Sequence, residues 1–166
     1  ILSKSKVKKQ SKKKRINALL TREPGGTRGA ESIRTLILKD YFNKGKEEKF
    51  DKYTDTLLYL AARNEHIKNR IKPALKNRRV VICDRFIDST LAYQVYGKKV
   101  SKSFIDNIHK LILQGVKPNI TFILKVSSKS SKLRLKKRRT KNRYDNFSQS
   151  FYTKAQKSFL KIARNK

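Results

Sequence analysis

The run Arg79-Val-Val-Ile-Cys83 constrains the fold more than any other stretch of this chain. It is short, apolar, rich in β-branched residues and free of polar alternation. That is the pattern of a strand covered on both faces, and such strands belong to parallel sheets flanked by helices. Two more short apolar runs, Ile16 to Leu20 and Asn119 to Leu124, lie to either side in sequence. Helical periodicity fills the intervals between them. Buried strands alternating with helices predict an α/β domain with a parallel sheet, whose ligands sit beyond the carboxyl ends of the strands.

The intervals support this reading one by one. Lys4 to Arg15 reads as a polar helix, and Gly29 to about Leu38 as a helix with Ile33, Leu36 and Ile37 on one face. Tyr41 to Lys49 is a charged loop. Asp51 to Leu75 carries Leu57, Leu58, Ala61, Ala62, Ile67 and Ile71 at helical spacing and is expected to end near Pro73. Ser89 to Tyr96 and Ser103 to Leu113 read as helices, and Ser131 to Arg139 and Ser150 to Ala163 as basic helices that close the chain. No repeat or Pro-rich linker divides it, so residues 1–166 form one domain.

Charge is the second constraint. Lys and Arg number 44 against 12 Asp and Glu, a formal net charge of +32. Such an excess suits a polyanionic partner, nucleic acid or acidic lipid. Every acidic residue falls between Glu23 and Asp145, and the stretches Lys4 to Arg15 and Lys129 to Arg143 hold none, so the excess sits at the two ends. Drift toward AT-rich codons, which enriches Lys, Asn and Ile together, is the competing explanation. A single cysteine, Cys83, precludes an internal disulfide, fits a reducing compartment and reads as a packed strand residue. No apolar run approaches the roughly 18 residues of a membrane span, and the expected location is cytoplasmic.

The polar residues that leave the strands should converge on one crevice: Arg22-Glu23 after the first, Asp84-Arg85 after the second, Lys125 after the third. An Asp at the end of a buried strand is where phosphotransferases of the P-loop class hold Mg²⁺ beside the transferring phosphate. An adjacent Arg can clamp phosphate oxygens bidentately. Pro24-Gly25-Gly26 supplies the tight turn that presents Arg22 and Glu23. His66 and His109 have no Cys or acidic cluster at metal spacing around them and are expected to be ordinary helix-surface residues.

Five stretches, "TREPGGT", "LLYLAARNEH", "IKPAL", "VVICDRFIDSTLAYQVYG" and "KPNITFIL", resemble in order and spacing the thymidylate kinase family, which transfers a phosphoryl group from ATP to thymidine monophosphate. The resemblance runs from about Lys13 through Leu124 and more faintly to Ala163. It implies the P-loop nucleoside monophosphate kinase fold, with ATP and Mg²⁺ as cofactors, dTMP as acceptor and a homodimeric assembly. By the same resemblance Tyr59 stacks on the thymine and Arg63 reaches the base edge. The i, i+4 spacing of that pair puts ring and guanidinium on one helix face.

Arg85 is implied at the phosphate under transfer, Asp84 and Glu23 at the metal or the phosphate-binding groups, and Arg22 beside the acceptor phosphate. Ser89, Thr90, Tyr93 and Gln94 border base and sugar, with Tyr93 close under the deoxyribose. A lid over the ATP phosphates is implied at about 136–147, with Arg138, Arg139 and Arg143 as its candidate arginines.

The departures from the family pattern are specific. No G-x-x-x-x-G-K-[ST] loop occurs, and Lys4 to Lys14 resembles the helix that would follow one. The resemblance therefore implies a domain short of its first strand and of its C-terminal strand and helix. Weak phosphorylation by the chain as given is expected, because that loop cradles the donor phosphates. Lys125 stands where an acidic residue is usual, Ser127-Ser128 where a Pro-containing turn is usual, Val95 in place of Gly, and Tyr59 in place of Phe. A non-catalytic nucleic-acid-binding protein on a decayed kinase scaffold is the alternative reading. No aromatic stacking platform supports it.

Overall fold

The computed structural model describes residues 4–39, 50–127, 130–131, 133–134 and 147–164. Helix α1 (Lys4–Lys13) leads into β1 (Ala18–Arg22), which is followed by α2 (Arg28–Leu38) and the long α3 (Lys52–His66). A π-helical turn (Ile67–Ile71) joins α3 to α4 (Lys72–Lys76), and β2 (Val80–Asp84) follows. Then come α5 (Ile87–Thr90), which widens into a π-helix (Leu91–Gly97), α6 (Lys102–Leu113) and α7 (Gln149–Arg164).

β1 and β2 pair in parallel, Ala18 opposite Val80 through Arg22 opposite Asp84. The pairing continues one residue further, because the Glu23 N–H donates to the Asp84 carbonyl at 3.0 Å. The carboxyl ends of both strands are thereby locked side by side. This two-stranded parallel sheet with its helices is the described part of the α/β fold expected from sequence.

The capping chemistry explains where the helices start. Thr27 accepts from the Ala30 N–H at the start of α2, Asp51 from the Tyr53 N–H at the start of α3, and Ser101 from the Phe104 N–H at the start of α6. Pro73 does not end the third helix. The π-helical turn ahead of it changes the hydrogen-bond register where proline offers no N–H, and the helix runs on to Lys76.

Three expectations change. Asn119 to Leu124 is not a strand: among the described residues the sheet holds only β1 and β2, and this run joins neither. Ile120, Phe122 and Leu124 are 74%, 84% and 66% exposed. β2 is not covered on both faces either, since Val80 and Ile82 stay exposed and no described residues lie over them. In α3 the buried stripe is Asp55, Thr56, Tyr59, Leu60, Ala62, Arg63 and His66, while Leu57 and Ala61 face out. The hydrophobic period of that helix thus runs about one residue out of phase with its buried face, because its polar side chains find partners inside.

The helix Ser131 to Arg139 is only partly described, and the lid arginines Arg138, Arg139 and Arg143 lie outside the described residues.

Candidate nucleotide-binding site

The turn after β1 is held by its own helix. Glu31, in the first turn of α2, reaches back to accept from the Gly26 N–H at 2.9 Å and from Arg22 at 3.3 Å. Arg34 donates to the Pro24 carbonyl at 2.8 Å. Burial alone would raise the Glu31 pKa, but the Gly26 N–H and the Arg22 charge outweigh it and hold the carboxyl below its ordinary value. The Glu23–Pro24 bond is cis, and Gly25 and Gly26 take positive φ. A Cβ on Gly26 would lie 2.6 Å from the His66 ring and 2.7 Å from the Thr21 hydroxyl, so only glycine fits.

Behind the turn lies a buried polar network. Glu23, 5% exposed, accepts from Arg63 Nε at 2.8 Å on one oxygen and from His66 Nδ1 at 3.1 Å on the other. Because a carboxylate can only accept, Nδ1 of His66 carries the proton. The other ring nitrogen, Nε2, is hydrogen-bonded to the Thr21 hydroxyl at 2.6 Å. Arg63 Nη1 donates to Thr90 Oγ1 at 2.8 Å and to His109 Nε2 at 2.7 Å. Its guanidinium lies 5.2 Å from the centroid of the Phe86 ring. Burial, reinforced by the Arg63 charge, lowers the His109 pKa to about 4, so this imidazole is neutral and an acceptor.

Arg63 has five N–H donors, of which three are taken in this way. The two on Nη2 have no hydrogen-bond partner among the described residues and are left for the pocket that Arg63 lines. The same pocket is lined by Glu23, Pro24, Tyr59, Arg85, Phe86, Ser89, Thr90 and Gln94. Gln94 is 2% exposed, and its amide Nε2 is buried with no partner. A buried donor left unpaired costs about 1–3 kcal/mol, so a buried amide here points to a ligand acceptor.

Tyr93 stands beside this pocket. Arg85 lies 4.6 Å from its ring centroid, and Phe151 and Phe159 of α7 pack on it at 6.0 and 5.9 Å. Arg85 holds this place with a φ of 71°. Asp84 and Arg85 are exposed at the end of β2.

The sequence-predicted residues Glu23, Tyr59, Arg63, Arg85, Ser89, Thr90 and Gln94 therefore line one pocket. Arg22 is not in the lining and is paired with Glu31, while Tyr93 stands beside the pocket through Arg85. His66 and His109 are not surface residues, contrary to expectation: they are 0% and 6% exposed and belong to the network. Their partners compensate their burial, which sequence spacing about metal ligands could not reveal. The signal available was helical: Tyr59, Arg63 and His66, spaced i, i+4 and i+7, lie on one face of α3.

Comparison with known proteins gives this geometry its context. The thymidylate kinase family model matches residues 3–166. The chain belongs to the thymidylate kinase family. It is therefore a member of the nucleoside monophosphate kinases, which are phosphotransferases. A thymidylate kinase of Wolbachia pipientis from Culex pipiens is 46% identical over 147 residues, covering 89% of this chain and 66% of that protein. One from the Wolbachia of Brugia malayi is 44% identical over 90% of this chain and 67% of its own length.

The crystal structure of thymidylate kinase from Ehrlichia chaffeensis superposes with a TM-score of 0.67 at 37% identity, over 90% of this chain and 69% of that one. The chain thus spans about two thirds of the length of these thymidylate kinases. The likeness to a solved family member shows the P-loop kinase fold around the two-stranded sheet. Among the described residues no helix is long and apolar enough to cross a membrane.

Proposed function

We propose that the pocket is the acceptor site of a dTMP kinase, which takes the γ-phosphoryl group of ATP to give dTDP and ADP. The observation that carries this reading is the set of unpartnered donors at the pocket that Tyr59 also lines: the two free N–H groups on Nη2 of Arg63 and the buried Nε2 of Gln94. Thymine offers a carbonyl acceptor at C4 where cytosine offers an amino donor, so the Arg63 donors favour thymine over cytosine. The Tyr59 ring provides a face for the base. Arg85, exposed at the strand end and lining the pocket, suits the monophosphate, and Arg22 at the end of β1 is the second arginine of this reading.

Glu23 spends both carboxylate oxygens on Arg63 and His66 and so suits holding Arg63, not a cation. Among the described residues no three potential metal ligands cluster. Asp84, exposed at the end of β2, fits a Mg²⁺ that keeps most of its waters and takes its remaining oxygens from phosphates. Magnesium supplies charge neutralisation of the phosphates when bound. Arg138, Arg139 and Arg143 belong to this reading as the lid. A cytoplasmic location fits the single cysteine, and exposed Leu57 and Leu111 offer apolar helix surface for a homodimer.

Calorimetric titration with dTMP, dUMP, dCMP and a short single-stranded DNA, at low and at physiological salt, tests the reading. It expects saturable dTMP binding at least about tenfold tighter than dCMP, since one mismatched hydrogen-bond edge is worth roughly 1–3 kcal/mol. Salt should change it little. Binding of DNA alone, falling steeply with salt as phosphate-backbone contacts do, would overturn it in favour of a nucleic-acid-binding scaffold.

A further inference from the structure

We infer that His109 is a positioning residue for base recognition: as a neutral acceptor on α6 it fixes the plane of the Arg63 guanidinium so that Nη2 faces the pocket. This rests on the reading of the pocket as a dTMP site. A planar guanidinium is oriented only when its in-plane donors are fixed from more than one side. Glu23 fixes Nε from the end of β1, and Thr90 fixes one N–H of Nη1 from α5. His109, 2.7 Å from Nη1, takes the other. Three separate elements therefore converge on Arg63, and only the edge at Nη2 is left to a ligand.

The acceptor has to be neutral. A protonated imidazole could not accept from Nη1 and would place a second cation against Arg63 in a buried site. The charges that face His109 are Arg63 on α3, Glu23 after β1, and Asp106 and Lys102 on its own helix. With Arg63 hydrogen-bonded to it, the ring sits where only its unprotonated form is useful. α6, which supplies no residue to the pocket lining, is in this way tied to the choice of base.

Two variants separate this role from a structural one. His109→Gln keeps an acceptor oxygen at about the reach of Nε2, whereas His109→Leu fills similar space without an acceptor. Both would be titrated with dTMP and dCMP, with the thermal midpoint recorded and the Arg63 Nη–H resonances followed by ¹⁵N NMR. The expected result is that His109→Leu loses about 10- to 100-fold in dTMP affinity, the scale of a hydrogen bond to a charged group, together with most of its preference for dTMP over dCMP. His109→Gln should recover both, whatever the thermal midpoints do.

Equal affinity and preference in His109→Leu and the wild type would overturn the inference, as would equal losses in both variants. If the wild-type chain binds no dTMP, the dTMP reading falls, and the NMR signal then decides the inference. Slowly exchanging Arg63 Nη–H resonances in the wild type and His109→Gln, but not in His109→Leu, support His109 as the residue that orients Arg63; their unchanged persistence in His109→Leu overturns it.

Discussion

The stretch Leu19 to Gly26 and the stretch Asn119 to Lys125 are built alike in sequence, a short apolar run followed by charge, and fare differently in the fold. In the first, the strand finds β2 alongside, and nearly every polar atom that follows it has a partner: Glu23 with Arg63 and His66, Arg22 with Glu31, the Pro24 carbonyl with Arg34. In the second, the run joins no sheet and its alternate apolar side chains face outward. An apolar run states that a segment can be a strand; a neighbouring backbone decides whether it is one. The polar motif carries its own partners, so it forms its structure wherever its helices are present.

The sharpest way to break the comparison is to remove the centre of the first region. Arg63→Met leaves Glu23 as a buried charge with only His66 beside it, and breaking a buried pair from one side costs about 3–5 kcal/mol. Urea unfolding should show that loss, and calorimetry should show dTMP binding abolished. A variant that keeps wild-type stability would mean that the Glu23–Arg63 pair is not formed in solution, and the contrast between the two regions would collapse.

Next in size is Gly26→Ala. The new methyl group meets the His66 ring and the Thr21 hydroxyl at less than contact distance, at a φ of 97° that only glycine adopts freely. Strain and overpacking together should cost roughly 2–4 kcal/mol, read as a lower thermal midpoint. Because His66 must shift, dTMP affinity should fall too. An unchanged midpoint would show that the turn and the network are not packed against each other.

A smaller effect is expected from pH. In the unfolded chain His109 binds its proton near the ordinary value of 6.5, but in the folded chain only near 4. Between these values the unfolded state holds the extra proton, so acidification favours unfolding, and stability rises again toward its plateau above 6.5. Arg63 adds to this depression, while Asp106 and Glu23 oppose it. Urea midpoints should fall between neutral pH and about pH 5, and fall less in His109→Gln, whose side chain does not titrate. Equal slopes in the two proteins would show that His109 does not carry the dependence and that His66 or a carboxylate does.

Much of the first region was legible in the chain. The order of apolar runs and helical periods gives the parallel pairing of β1 and β2, and the resemblance to thymidylate kinases singles out Tyr59 with Arg63, whose i, i+4 spacing puts them on one helix face. What was not legible is what depends on partners far apart in sequence. His66 and His109 look like surface residues because each is buried by groups 43 and 46 positions away, Glu23 and Arg63 respectively. The buried stripe of α3 was misread for a similar reason, since Asp55 pairs with Lys98 and Arg63 and His66 with Glu23, all at least 40 positions away. Glu31 gave no sign that it would brace the Gly26 turn. The apolar run from Asn119 failed in the opposite sense: its pattern was clear and its partner strand was not among the described residues.

The smallest effect is the most direct test of the second region. Phe122 is 84% exposed and Leu60 2% exposed, so truncating them removes very different amounts of buried surface. Leu60→Ala should cost about 2–5 kcal/mol, whereas Phe122→Ser should change the urea midpoint by less than about 0.5 kcal/mol, as exposed substitutions usually do. Phe122→Ser should also lower light scattering at high concentration, because an apolar run with unpaired backbone is a template for pairing with other copies. A loss in Phe122→Ser comparable with that in Leu60→Ala would mean that this run is covered in solution. The two stretches would then be alike in structure as they are in sequence, and the absence of a neighbouring strand could no longer explain their difference.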